Sequence, residues 1–288
     1  MTWEIEFLKS LQTVANPVLN VFFELVTMLA EDLFLIAVIT FIAWNVDKNA
    51  GKKIVYTLFV SISLNGGIKD LIKRTRPFDI APELASERIE TATGYSFPSG
   101  HSQSFSTTVF AIAQWLKKRW FYIFAAVSVL FVGFSRLYLR VHFPTDVIVG
   151  LILGIGISFL CSWIHDKVKN HSILYLVTFL IMSLFLFGEP TKNYLEALGL
   201  FGGFVLANPI EEAFIKFDSK GHTKLEGIVR WLIGLGVVLG VKTLGRVIFG
   251  RETVFSHFIV YFFVSFVAIA VYPLIFPLIN KLFKKNSK

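Results

Sequence analysis

The sequence predicts an all-α protein, a polytopic bundle of transmembrane helices, and three observations carry that prediction. Of its 288 residues 55% are hydrophobic and 17% charged, with a mean hydropathy of +0.65, whereas soluble domains run nearer about 25% charged. Apolar runs long enough to span a bilayer recur along most of the chain. Those runs lack the alternation that membrane barrel strands would show. The net charge of +8 falls in short clusters between the runs. It therefore reads as a topology signal and a contact with anionic membrane lipids, and no nucleic acid partner is expected. The single cysteine, Cys161, lies in an apolar run and excludes an internal disulfide. Residues 1–14 lack a basic start followed by an apolar core, so no cleavable signal peptide is expected.

Taken in order, residues 3–14 set Trp3, Phe7, Leu8 and Leu11 at helical spacing opposite Glu4, Glu6 and Lys9. That pattern assigns residues 1–16 to a short interfacial N-terminal helix, ended by Asn16-Pro17. The run from there to Trp44 contains Glu24, Glu31 and Asp32 and counts as one crossing. Clearer crossings follow at 52–72, 99–117, 120–139, 144–164, 172–188, 195–214, 228–249 and 255–279, for a total of about nine. Gly150 and Gly154, and again Gly236 and Gly240, form small-residue pairs four apart that are expected to bring helices close.

One set of loops collects Lys48, Lys52 and Lys53, then Lys117, Lys118 and Arg119, then Lys167 and Lys169, Lys216, Lys220, Lys224, Arg230 and a basic C-terminal tail. The positive-inside rule puts that set in the cytoplasm. Trp44, Trp115, Trp120, Trp163 and Trp231 fall at the same helix ends, as an interfacial belt would.

Three polar stretches then share the opposite, extracytoplasmic face. In residues 69–77 Lys69 and Arg76 are seven apart, so a continuing helix would project both from one face before Pro77 stops it. Their neighbours Lys73 and Arg74, with Arg88, read as anionic-lipid anchors. In Pro98–His101, Ser99 is an expected N-cap and Gly100 lets a ligand approach backbone N–H groups that suit an anionic oxygen, beside His101. In Ser135–Asp146, Pro144 predicts a helix start near Phe143. Asp146 then accepts from the His142 Nδ1–H, turning the Nε2 lone pair outward and raising the ring's proton affinity, with Arg136 as a fixed charge nearby. An imidazole oriented in this way beside a guanidinium can attack phosphorus. His165, His171, His222 and His257 read as solvated or structural. No His/Cys/Asp/Glu cluster has metal-ligand spacing, and neither metal nor cofactor is expected. The long loop from Phe78 to Phe97, with Glu83, Glu87 and Glu90, fits an entry rim or a plain connector.

Lys-x6-Arg-Pro (Lys69–Pro77), Pro-Ser-Gly-His (Pro98–His101) and Ser-Arg-x5-His-x3-Asp (Ser135–Asp146) resemble, complete and in order, the three signature motifs of the type-2 phosphatidic acid phosphatase superfamily. The resemblance implies a six-helix phosphatase core, residues 17–168, with additional C-terminal transmembrane helices of unassigned role at 169–288. It implies a lipid phosphate phosphatase acting without metal on an amphiphilic substrate such as undecaprenyl pyrophosphate, phosphatidylglycerol phosphate, phosphatidate or a sphingoid phosphate. By that likeness His142 attacks phosphorus to give a phosphohistidine, and Asp146 holds the ring. His101 protonates the departing oxygen and then activates water, while Lys69, Arg76, Ser99, Gly100 and Arg136 bind the phosphoryl oxygens. A lipid phosphotransferase with the same site, or a non-catalytic lipid-binding or transport protein, are the alternatives; the membrane frame argues against the haloperoxidases of the same group. The implied setting is the cell membrane, multi-pass, with the site extracytoplasmic and self-association into a homo-oligomer left open.

Overall fold

The computed structural model describes residues 2–220, 223–250 and 253–285, and every regular element among them is helical. Helix α1 spans Thr2–Thr13. Helix α2, Pro17–Met28, opens on its proline, with the Asn16 side chain accepting from the Leu19 N–H. The single crossing expected here is two helices, α2 and α3 (Asp32–Asn45), bent by 44°. The break has a local cause: Glu31 is extended and held in an ion pair by Arg88 from a distant loop. Helix α4, Lys48–Ile72, is capped by Asp47 and ended by Lys73 in the left-handed conformation.

After the short α5 (Pro77–Ile80) an irregular segment leads to α6 (Gly100–Leu116), then α7 (Arg119–Tyr138), α8 (Pro144–Lys167) and α9 (His171–Ser183). The extension comprises α10 (Lys192–Ile210), α11 (Lys224–Ile248), α12 (Val254–Phe266) and α13 (Phe276–Lys285).

Among the described residues five helical stretches are long and apolar enough to cross a membrane: 119–138, 144–167, 192–215, 224–248 and 254–283; the bent α2–α3 pair makes a sixth if it is one span. The expected crossings at 52–72 and 99–117 are also helices, α4 and α6, but they are more polar than the rest. Their polar groups satisfy one another inside the bundle. The Asn65 amide donates to Gln103 Oε1 (2.8 Å), Gln103 donates to the Ser61 carbonyl (2.9 Å), and the Ser61 and Thr107 hydroxyls bond at 2.8 Å. This ladder fixes α6 against α4 and so fixes the start of α6, where Pro98–His101 lies.

Close helix contact falls where one expected glycine pair lies and not where the other does. A Cβ on Gly150 would lie 2.7 Å from the Ser99 carbonyl and one on Gly154 would collide with that of Gln103, so α8 packs backbone to backbone on α6. Gly236 and Gly240 face open space. The corresponding pair in the extension is Gly199 and Gly203 of α10, which abut the Phe258 and Phe262 carbonyls of α12.

At the far end of α4 from Lys69, Lys48 and Lys52 pair with Glu211 (3.0 and 2.6 Å), and buried Arg230 donates to Asn45 Oδ1 (3.0 Å) and the Trp44 carbonyl. These basic residues, read as topology signals, also tie the extension to the core. Trp44 is buried against Tyr272 and Phe276 rather than placed in an interfacial belt, whereas Trp120 and Trp163 are exposed. In α1 the face expected to be polar turns in part inward: Glu4 is buried, and Leu8 packs on Leu84 and Phe143, leaving Trp3 and Phe7 outside.

Candidate active site

The connector 139–143 begins where α7 ends and stops where Pro144 starts α8, with Phe143 as the N-cap residue as its spacing predicts. Asp146 sits in the first turn, fully buried, and accepts from the Phe143 N–H at 2.9 Å. The same carboxylate oxygen lies 3.4 Å from His142 Nδ1, and the other accepts from Arg74 at 2.6 Å. Ser96 donates to Asp146 and stands 3.4 Å from the same ring nitrogen.

On the opposite edge of the ring, Arg76 Nη1 is 3.2 Å from His142 Nε2. A guanidinium can only donate, so Nε2 accepts and the ring proton sits on Nδ1, facing Asp146. The tautomer is the one expected, but the proton affinity is not. Burial, then the charges of Arg76, Arg136 and Lys69, hold His142 well below the usual histidine range, outweighing a hydrogen bond to the Ser96 backbone. At neutral pH His142 is an uncharged imidazole whose Nε2 electron pair accepts from Arg76.

Lys69 and Arg76 do meet, though not as two turns of one helix. Helix α4 ends at Ile72, and the left-handed Lys73 turns the chain so that Arg76 precedes Pro77, the first residue of α5. Arg76 is then held by carbonyls: Nε on Gly94 (2.8 Å), Nη1 on Val141 (2.9 Å) and Nη2 on Thr93 (2.7 Å). Burial pulls its pKa down to about 10, so it stays charged. Lys69 Nζ donates to the Tyr95 carbonyl at 2.8 Å. The loop 78–97 is thus part of the site wall, beyond either expected role.

Lys69, Arg76, Gly100, His101 and His142 line one cavity of about 370 Å³. The ring atom His101 Nε2 is buried with no hydrogen-bond partner among the described residues. Gly100 leaves its backbone open, since a Cβ there would meet only Asn65 Oδ1, at 3.4 Å. Arg136 is wholly buried and does not itself line the cavity. Its Nη1 donates to Thr27 Oγ1 (2.7 Å), while Nε and Nη2 have no partner among the described residues. Ser99 caps α6, its hydroxyl accepting from that of Ser102 at 2.9 Å, and it does not line the cavity.

Several partners were not foreseen. Arg74, read as a lipid anchor, bridges Asp146 and Glu4 (both 2.6 Å), and its guanidinium lies over the Phe143 ring at 4.2 Å. Lys73 and Arg88, read the same way, pair with Glu189 and Glu31. Ser96, Thr27 and Glu4 carry no motif; their only signal is the pairing itself, which spans tens of residues. Of the other histidines, His165 bonds the Tyr175 hydroxyl (3.0 Å) and stacks on His171, and His257 pairs with Glu196 (2.8 Å), all structural as read. His222 and the last residues of the basic tail lie outside the described residues.

Comparison with known proteins bears on both halves of the chain. The PAP2 superfamily matches residues 50–170, and the transmembrane extension of PAP2 superfamily phosphatases matches residues 195–285. Among solved structures, a transmembrane PAP2 type phosphatidylglycerolphosphate phosphatase from Bacillus subtilis is 31% identical, covers 59% of this chain and 87% of its own, and aligns with a TM-score of 0.50. Phosphatidylglycerophosphatase B of Bacillus subtilis is 40% identical over 37% of this chain and 54% of its own length. An undecaprenyl-diphosphatase of Sulfolobus acidocaldarius is 34% identical over 41% and 57%. Sphingosine-1-phosphate phosphatase 1 of Mus musculus is 29% identical over 56% and 39%. The chain spans about half the length of the curated relatives it matches. With both its catalytic-motif region and its C-terminal helices matched, this integral membrane chain belongs to the PAP2 superfamily.

Proposed function

We propose that the protein is a lipid phosphate phosphatase working through a phosphohistidine and needing no metal. The observation that carries the reading is the His142 ring, fixed by Asp146 on one edge and presenting an uncharged Nε2 to a cavity shared with Lys69, Arg76 and His101. The Nε2 electron pair attacks phosphorus as the bond to the lipid oxygen breaks, and His101, which takes up a proton as the phosphate dianion enters, passes it to that oxygen, freeing a lipid alcohol or monophosphate. His101 then takes a proton from water, whose oxygen attacks the phosphohistidine and releases inorganic phosphate and the free ring. Arg76 moves its hydrogen bond from Nε2 to a phosphoryl oxygen, and the unpartnered N–H groups of Arg136 and the start of α6 receive the others. Three side-chain cations supply the charge stabilisation that Mg²⁺ supplies in other phosphoryl transfers. Asp146, paired with Arg74, orients the ring.

The names of the relatives, phosphatidylglycerophosphatase, undecaprenyl-diphosphatase and sphingosine-1-phosphate phosphatase, have a phosphate on a lipid in common. A substrate of that class suits a polar site at the ends of apolar helices. The distribution of basic loops favours a cell membrane with the site on the extracytoplasmic face. The test is phosphate release by detergent-purified protein across a panel of lipid phosphates and diphosphates. His142→Ala should lower turnover at least about a thousandfold, roughly 4 kcal/mol of barrier. Near-normal turnover by that variant would remove His142 from the chemistry and the reading with it.

A further inference from the structure

The cavity holding His142 and His101 continues well below the phosphate site. Along α4 it is lined from Lys69 down to Val55. Fourteen residues of helix are about 21 Å long at 1.5 Å each. Its charged groups lie near one end of their helices, Asp32 opening α3, Lys69 in the last turn of α4, Glu196 near the start of α10 and Lys242 near the end of α11, together with Arg76 and the two histidines. The deep part is apolar, with Ile39 of α3 and Phe59 of α4 on one side. The extension supplies the other side: Leu200 from α10, Val238 from α11, Val264 from α12 and Ile269 just beyond it. The reactive end and the apolar chamber are one continuous space, and about a third of its lining residues come from the C-terminal extension.

We propose that this chamber receives one hydrocarbon chain of the substrate, so that α10, α11 and α12 form a chain-length gauge for the site; the proposal rests on the phosphatase reading above. An extended chain advances about 1.25 Å per carbon, so the roughly 21 Å from Lys69 to Val55, less the phosphate end, takes about a dozen or more chain carbons. The second chain of a two-chain lipid stays in the bilayer. A tail leaving lipid gains little hydrophobic energy in an equally apolar chamber. Selection there acts through fit: a chain that fills the chamber seats its phosphate against His142, and one that is too short leaves the phosphate loosely held.

The test is kcat/KM for n-alkyl monophosphates of increasing chain length, measured in detergent with the wild-type chain and with Val238→Trp. Wild-type kcat/KM should rise with length and level off near about a dozen carbons. Val238→Trp should lower the ratio of the sixteen-carbon to the six-carbon substrate by about tenfold or more. A wild-type series that is flat with length, or a ratio within about twofold of wild type in the variant, overturns the chamber while leaving a working phosphatase. A wild-type protein that releases phosphate from none of the series overturns the gauge, and one that also fails on the whole panel of lipid phosphates and diphosphates overturns the phosphatase reading with it. The wild-type series decides the question on its own should the variant fail to fold.

Discussion

Arg74→Met tests how the nucleophile is held. Arg74 donates to Asp146 and Glu4 at 2.6 Å each and to Thr145 Oγ1 at 2.6 Å; the side chains of the two acids are 0% and 5% exposed. Methionine keeps the apolar stem over Phe143 and removes the charge, leaving two buried carboxylates without a counter-ion. Removing one partner of a buried ion pair costs about 3–5 kcal/mol, and the partial exposure of Arg74 puts this case near the lower figure. Asp146 keeps its bonds from Ser96 and the Phe143 N–H, so the ring shifts rather than comes free. Turnover should fall by up to about a hundredfold, the order expected for a displacement of about 1 Å, and remain well above that of His142→Ala. Adding Glu4→Gln removes one of the two stranded charges and should restore part of the lost stability. The double-mutant cycle should show a coupling between positions 4 and 74 of about 0.5–3 kcal/mol. Denaturant unfolding in detergent and phosphate release are read on all four proteins. If Arg74→Met unfolds at the wild-type midpoint and the two changes are additive, the three charges are not acting as a unit, and the anchoring of Asp146 described above is wrong.

Three further outcomes follow from the same geometry. Because His142 is held well below the ordinary histidine range, its nucleophilic form persists as pH falls through 6.5. The acid limb of kcat/KM, corrected for the second ionisation of the substrate phosphate at about 6, should therefore have its midpoint below 6.5; a midpoint at or above neutrality contradicts it. EDTA should leave activity intact and orthovanadate, which adopts the five-coordinate geometry of phosphorus under attack, should inhibit; loss in EDTA that Mg²⁺ restores would sink the metal-free scheme. Gly154→Ala should destabilise the protein by about 1–3 kcal/mol by driving α8 off α6, read as a lowered unfolding midpoint, whereas Gly236→Ala should leave that midpoint in place.

What could be read from the chain was local. Pro144, His142 and Asp146 lie within one turn of a helix start, and their spacing alone gives the ring partner and the tautomer. Ser99, Gly100 and His101 are likewise adjacent, and the capping of α6 follows from residue type. The partners of Arg74 lie about seventy residues away on either side, in α1 and α8, and no periodicity links them. Arg76 meets Lys69 through a left-handed residue at position 73, which a lysine gives no reason to expect. The glycine pairs show the same limit from the other direction: Gly150-Gly154 and Gly236-Gly240 have identical spacing, and only tertiary packing decides that one abuts a neighbour's carbonyls and the other faces open space. The chamber beneath the site was beyond reach for a related reason. Its wall is assembled from α3, α4, α10, α11 and α12, each of which reads along the chain as an ordinary apolar helix.

The arrangement of charges explains how so many buried cations are tolerated and what they are for. Lys69 and Arg76 are satisfied by main-chain carbonyls, Tyr95 for the first and Thr93, Gly94 and Val141 for the second. A carbonyl meets the hydrogen-bonding need of a cation without cancelling its charge, whereas a carboxylate would do both. The carboxylate nearest the nucleophile, Asp146, is engaged from behind by Arg74 and does not pair with any cation lining the cavity. Among the described residues neither Lys69 nor Arg76 is paired with a carboxylate, and Arg136 has two buried N–H groups without acceptors. Burying them costs free energy, which the phosphate of the proposed substrate would recover. The same cations hold His142 below the usual histidine range, so in the proposed mechanism the charge that would draw an anion in also keeps Nε2 able to attack.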